Sequence, residues 1–406
     1  MLSHTLKPRQ VESVPGQSET VEVLTKPSLI CLLLAFLRLG ASAFGGPSMV
    51  AYIGKMAVEK KCWMSRRAFM DGVALCQLIP GATAMQTSAY VGLKAHGVMG
   101  AAASFVGFGF PAFLLMMAFS AVYVHAHNLP VVVSTFQGLR AIIVAIVANA
   151  TLMFGRNSLK NGRDVIIAVV AALIFGLGVN PIIILPIAAI LGLARNVNPP
   201  PPPPTDCSAD RLRLPFAFLV LLTAGATGFT LLFLFQRKFF DLAALMSTID
   251  LFAFGGGFAS VPLMFHQIVH VRGWLDGPTF LNGIVLGQIT PGPIVITATF
   301  VGYALYGFWG GLLATIGVFL PSFLLVVGIA PYSSRIFASF YLSRAFGGVL
   351  CSFVGLLLTV TFRFALNVHW SLIHILLSAA AFIALLLDVD ILWVVLGGTL
   401  ISIIMA

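Results

Sequence analysis

The sequence predicts an all-α polytopic membrane protein: two homologous helical repeats, inverted relative to each other, with broken helices and hairpins. Three observations lead there. Of 406 residues, 59% are hydrophobic and 9% charged, with a mean hydropathy of +1.02. A soluble domain carries about 25% charged residues, so this chain lacks the polar coat that water demands. Its apolar residues run continuously instead of alternating, which specifies helices and not barrel strands. Finally, the chain repeats itself at a spacing of 210 to 211 residues.

Taken in order, residues 1–28 form a polar tail of mixed charge, expected to be disordered. Apolar runs follow at 29–53, 68–93, 98–124, 131–154, 165–194, 214–236, 240–265, 279–305, 308–331, 345–366 and 372–405. At roughly 20 residues per crossing, they leave room for about ten to twelve crossings. Pro80-Gly81, Asn180-Pro181 and Asp388-Val389-Asp390 interrupt three of the runs, and each is expected to fold as a hairpin of two short helices. Six consecutive prolines, Pro199 to Pro204, cannot join a bundle and read as an extended surface linker. The expected organisation is therefore a tail (1–28), repeat A (29–195), a linker (196–214), a connecting helix (215–237) and repeat B (238–406).

The duplication is specific. Phe44, Gly45 and Gly46 match Phe254, Gly255 and Gly256 at a spacing of 210. Trp63, Phe69, Gly72, Gln77, Pro80 and Gly81 match Trp274, Phe280, Gly283, Gln288, Pro291 and Gly292 at 211. The spacing then returns to 210 for Gly92, Gly97, Gly100 and Pro111 against Gly302, Gly307, Gly310 and Pro321. Two related halves are the building plan of many secondary carriers, whose substrates bind at broken helices near the bilayer midplane.

Charge orients the halves and excludes other classes. The formal charge of +10 is spread over short loops, with no stripe of the kind that binds nucleic acid. Loop 54–67 holds Lys55, Lys60, Lys61, Arg66 and Arg67, whereas its repeat mate at 266–278 holds only Arg272. The bias flips between 125–139 and 331–344, which predicts inverted repeats with loops 54–67 and 155–164 cytoplasmic, in a multi-pass protein of the inner cell membrane. The five cysteines are isolated, so no disulfide framework is expected. His266 and His270 lie one turn apart without a third ligand and read as an interfacial pair; no metal or other cofactor is expected. Gly54-Lys55 lacks the remainder of a phosphate-binding loop, so direct ATP use is not expected.

The candidate site lies at the paired breaks. Where a helix stops inside the bilayer, its freed N–H groups need a partner, and a helix N-terminus can hold an oxyanion without a lysine. The competing reading is packing, since glycine and proline also serve as notches and tolerated kinks. Gln77 and Gln288, each three residues before the paired proline, offer neutral amide donors, and Gln86 adds another in repeat A. Asp71 and Asp250 are the carboxylates expected at membrane depth and are candidates for ion coupling. Asp71 has a second reading as a helix cap, because its repeat mate is Asn282. Arg38 precedes the repeat A break as Asp250 precedes that of repeat B, and pseudo-symmetry makes them a candidate ion pair.

At FGGP (Phe44 to Pro47), the Trp63 step, LCQLIPG (Leu75 to Gly81), its echo LGQITPGP (Leu286 to Pro293) and the closing G-x-x-x-P of each unit (Gly107 to Pro111, Gly317 to Pro321), the chain resembles the chromate ion transporter family in its long two-domain form. The resemblance implies a carrier, not an enzyme, that exports chromate on ion gradients; chromate is a tetrahedral dianion close to sulfate in shape and charge. Carried over position by position, the implied binding residues are Phe44, Gly45, Gly46, Pro47, Gln77, Pro80, Gly81 and Gln86 in repeat A. In repeat B they are Phe254, Gly255, Gly256, Gln288, Pro291, Gly292 and Pro293. The chain departs from the family pattern at Ala82, where a second proline is usual, and at Gly257, which stands opposite Pro47. The expected partners are the oxyanion, chromate or sulfate, and the lipid bilayer, with homo-oligomerisation left open. A sulfate carrier, a membrane-embedded redox subunit and a channel are the rival readings.

Overall fold

The structure is a computed structural model describing residues 26–44, 48–126, 129–194, 216–333 and 340–404. Among the described residues the regular structure is helical throughout. Repeat A comprises α1 (Leu29–Ser42), α2 (Ser48–Gly54) with a π-turn at Lys55–Lys60, α3 (Arg66–Leu78), α4 (Thr83–Ala126), α5 (Pro130–Ser158), α6 (Gly162–Gly176) and α7 (Pro181–Leu193). After α8 (Phe216–Phe235), the same series returns as α9 (Arg237–Phe252), α10 (Ser260–Phe265) with a π-turn at His266–Val271, α11 (Gly277–Ile289), α12 (Thr297–Ile329), α13 (Phe340–Leu366), α14 (Leu372–Leu386) and α15 (Ile391–Ile404).

Local chemistry sets the boundaries. Side chains of Ser28, Ser65, Asn180, Asp276 and Ser371 accept backbone N–H bonds at the starts of α1, α3, α7, α11 and α14, each contributing about 1 kcal/mol. The cap of α3 is thus Ser65 and that of α11 is Asp276, so the capping reading of Asp71 is corrected. Asp71 lies exposed inside α3. Its mate Asn282 is buried, receiving Arg140 Nε at 2.7 Å and donating to the Tyr123 hydroxyl at 2.8 Å.

α4 folds back on itself. Its backbone leaves the helical region at His96 (φ −148°) and Gly97 (φ +63°, ψ −157°). Sixteen residues of straight helix would span about 24 Å; instead, the Ser104 hydroxyl donates to the Ser88 carbonyl at 2.7 Å. Gly92 and Gly100 allow the limbs to touch, since a Cβ on Gly100 would overlap the Gly92 carbonyl. α12 repeats the device at Tyr306 and Gly307, with Thr299 and Thr315 hydroxyls 2.7 Å apart.

The centre is built from α4 and α12, which pack on each other, with α1 lying along α4 and α9 along α12. Around it the repeats exchange their terminal hairpins. Hairpin α6–α7 of repeat A rests on α13 of repeat B, where Thr359 Oγ1 donates to the Ala172 carbonyl (3.1 Å) and Gly192 meets Gly348 backbone to backbone. Hairpin α14–α15 of repeat B rests on α5 of repeat A, where a Cβ on Gly138 would overlap the Ser402 hydroxyl. Thr151 and Thr361, 210 residues apart, face each other at 3.3 Å where α5 meets α13.

Among the described residues, five helical stretches are long and apolar enough to cross a membrane by length and composition, one of them within α4. α1, α6, α7, α14 and α15 have 13 to 15 residues; they rise only about 20 Å, against about 30 Å of hydrocarbon. Ile166, Leu173, Phe233, Phe362, Trp393 and Leu400 stand exposed on the outer surface, as lipid contact requires.

Candidate functional site

Four chain breaks converge in the centre: those after α1 and α9, and those between α3 and α4 and between α11 and α12. Glycine makes them feasible. Gly81 and Gly292, at matching positions, have φ of +120° and +115°, and Gly255 and Gly256 have φ of +88° and +104°, values that residues with a Cβ rarely adopt. Gly45, Gly46 and Pro47 lie outside the described residues.

The breaks bond crosswise. The Gly81 N–H of repeat A donates to the Ala253 carbonyl of repeat B at 2.9 Å, and the Gly292 N–H of repeat B donates to the Ala43 carbonyl of repeat A at 3.0 Å. In this conformation those two amides are therefore held by carbonyls. The next amide, that of Ala82, donates to the Ser322 hydroxyl at 3.2 Å.

Asp250 supports this corner. It is fully buried, and its two carboxylate oxygens accept from the Ser322 N–H (2.8 Å) and hydroxyl (3.0 Å). Asp250 thus fixes Ser322, which in turn holds the start of α4. The Arg38–Asp250 pair anticipated from pseudo-symmetry does not form: Arg38 lies exposed along an open cavity of about 600 Å³ that Lys55, Lys60 and Lys61 also line. The repeat A mates of Asp250 and Ser322 are Gly40 and Ala112. There the helices meet by backbone instead, since a Cβ on Gly40 would overlap the Phe108 carbonyl.

The glutamines divide. Gln86 is buried, with Nε2 donating to the Pro80 carbonyl and Oε1 lacking a partner among the described residues. Gln288 Nε2, three residues before Pro291, is likewise buried without a partner among them. Leaving such a donor unmet costs about 1–3 kcal/mol, so it suits a ligand acceptor. The Gln77 side chain is exposed on α3. Phe44 is half-buried, Phe254 stacks on Phe346 (5.6 Å), and Pro291, Gly292 and Pro293 are buried. Thr290 and Thr297 spend their hydroxyls on the carbonyls of Gly287 and Ile294. Ser322 escaped the sequence reading, although a hydroxyl directly after the helix proline of one repeat only was the available signal.

The family described as chromate transporter matches residues 30–193 and 240–403, which takes in both sets of breaks. The chain belongs to the chromate transporter family. Among relatives of this chromate transporter family member, an uncharacterized transporter of Methanocaldococcus jannaschii is 40% identical over 94% of this chain and 95% of its own length. A probable chromate transport protein of Synechococcus elongatus is 31% identical over 76% of this chain and 77% of its own. The chromate transport protein of Cupriavidus metallidurans is 30% identical over 79% of each. No solved structure matches. The two matched regions are those of the long form of the chromate transporter family, a family of transporters, and with the crossing-length helices they make this a multi-pass membrane protein.

Proposed function

We propose that the protein is a secondary carrier that exports chromate across the cell membrane by alternating access, with the crossed breaks as its binding site. The observation that carries this reading is the reciprocal pair of bonds, Gly81 to Ala253 and Gly292 to Ala43, beside the unmet Gln288 amide. Each crossed bond joins one repeat to the other, so rocking the repeats apart frees two backbone donors at once. A neutral hydrogen bond is worth about 0.5–1.5 kcal/mol net and one to a charged group about 1.5–3 kcal/mol, so a dianion outcompetes the carbonyls for the same donors. Closed breaks without ligand and open breaks with it then form a two-state cycle.

In the proposed site the amides of Gly81, Ala82 and Gly292 with Gln77, Gln86 and Gln288 grip the oxyanion, while Phe44, Phe254 and the prolines Pro80, Pro291 and Pro293 hold the breaks open-ended. Gly45 and Gly46 correspond in sequence to Gly255 and Gly256, and with Pro47 they are assigned to the same site on that ground. Asp250 is the coupling candidate with a position to match; Asp71 and Arg38 stand at the exposed surface. The lysine-rich side of repeat A is placed in the cytoplasm, which makes the repeats inverted.

Uptake of labelled chromate into inverted vesicles, with sulfate as competitor, tests the assignment. Saturable chromate uptake that sulfate inhibits only weakly is expected; equal or better sulfate transport would transfer the assignment to sulfate. Gln77→Leu with Gln288→Leu is expected to lower uptake at least tenfold while melting temperature is kept. Normal uptake by that variant would remove the amides from the site.

A further inference from the structure

The histidine pair takes no part in the proposed translocation site, yet it stands in a built cavity. His266, in the π-turn after α10, is 4% exposed, with its ring edge-on to Phe175 at 5.6 Å. Its Nδ1 is buried and has no partner among the described residues. His270 follows one turn later, exposed, with ring centroids 6.4 Å apart. Facing them is Arg363, from the last turn of α13, which lies over Phe175 (4.9 Å) and donates to the carbonyls of Phe175 (3.0 Å) and Gly176 (3.3 Å) at the end of α6. Asn180, the cap of α7, brings the positive end of that helix to the same place.

These side chains, with Gly178 and Val271, line an open cavity of about 370 Å³. A water molecule takes about 30 Å³, so a partly hydrated ion fits. The lining carries a guanidinium, two imidazoles and no carboxylate. Arg272, the next cation along the chain, is stacked on Trp274 at 4.7 Å. A metal is disfavoured: among the described residues no three His, Cys, Asp or Glu converge. The repeat makes this cavity the counterpart of the one at Arg38, because Lys55 stands 211 residues before His266. One mouth is lined by lysines and an arginine, and the other by histidines around a single arginine.

We propose that the His266–Arg363 cavity is a second oxyanion site, at the mouth of repeat B, that binds a tetrahedral dianion together with a proton. The choice of anion rests on the transport reading above; the site itself rests on the cavity and the unpartnered imidazole nitrogen. A dianion seated between Arg363 and His266 favours the imidazolium, so binding takes up a proton and tightens as pH falls. Affinity rises about tenfold per pH unit over the range in which the free ring is neutral and the occupied one charged.

Equilibrium binding of labelled sulfate and chromate to the full chain in nanodiscs of zwitterionic lipid tests this. Burial and the neighbouring Arg363 guanidinium lower the pKa of the His266 imidazole to about 4, so two classes of site are expected at about pH 5 and one at about pH 7, the window in which an occupied ring is charged and a free one neutral. His266→Gln removes the acid-dependent class, and His270→Gln, at an exposed position, weakens it at least threefold without disturbing the core. A single pH-independent class in the unaltered protein, or an acid-dependent class that survives His266→Gln, would overturn the proposal. Adding phosphatidylglycerol distinguishes a free anion from a lipid headgroup: unchanged sulfate affinity supports the former, and competitive loss reassigns the cavity to lipid phosphate. Persistence of the acid-dependent class in Gln77→Leu with Gln288→Leu supports a site separate from the crossed breaks, whatever that variant transports.

Discussion

Both side-chain oxygens of Asp250 accept hydrogen bonds from one serine, Ser322. Removing the Ser322 hydroxyl leaves an Asp250 oxygen and the Ala82 amide unmet together. Ser322→Ala is therefore expected to destabilise the protein by about 1–3 kcal/mol and to lower transport, measured by thermal unfolding in detergent and by vesicle uptake. Ser322→Thr, which keeps the hydroxyl, is expected to retain more of both. Two glycines provide a calibrated pair. Gly97 combines φ of +63° with ψ of −157°, a region nearly reserved for glycine, but has open space around it, so Gly97→Ala is expected to cost about 1–3 kcal/mol. Gly81 has positive φ and a Cβ there would overlap the Ser322 hydroxyl, so Gly81→Ala is expected to cost more and to lower transport. Equal melting shifts for the two would mean that the Gly81 corner is loosely packed. At this scale the sequence singled out Asp250 as a costly carboxylate at membrane depth. It misdirected the partner, because pseudo-symmetry pointed to Arg38 while the serine that binds lies 72 residues away on another helix.

Helix breaks were the most legible elements. Pro80-Gly81 and Asn180-Pro181 each separate two helices, because proline withdraws a donor and glycine admits φ values closed to other residues; at the 388–390 step, which has neither, Asp388 itself takes a φ of +59°. The fold-back at Gly97 and Gly307 also follows the gap between apolar runs. What apolar patterning leaves undetermined is the partner: a helix that is apolar all round declares burial or lipid, not which neighbour it meets. Hence the exchange of hairpins between repeats had no sequence signal beyond small residues at the contacts. Gly348→Leu is expected to wedge α7 from α13 and lower stability by about 1–3 kcal/mol. Gly397→Leu, on α15 with nothing within 4 Å, is the control and is expected to stay within about 0.5 kcal/mol. Comparable losses for both would deny the close docking of the hairpin.

For the molecule as a whole, each repeat completes the other. α13 needs the hairpin of repeat A and α5 needs that of repeat B, so neither repeat buries its own surfaces alone. Cutting the chain within 196–214 and producing the two pieces together is expected to restore transport and allow one piece to purify with the other. Either piece produced singly is expected to aggregate or be degraded. A stable, monodisperse single repeat would contradict the exchanged arrangement. The duplication itself was legible from matched glycines, prolines and glutamines, and its covering of both halves agrees with the family match.

Joining the two units in one polypeptide also changes what mutation can explore. In a pair of identical subunits, any new carboxylate arrives twice, and a buried acid opposite its own copy repels it. Here an acid and a serine occupy one half while glycine and alanine hold the same places in the other. Covalent linkage lets a chain of nearly twofold form specialise one of its two matching helix contacts without burdening the other.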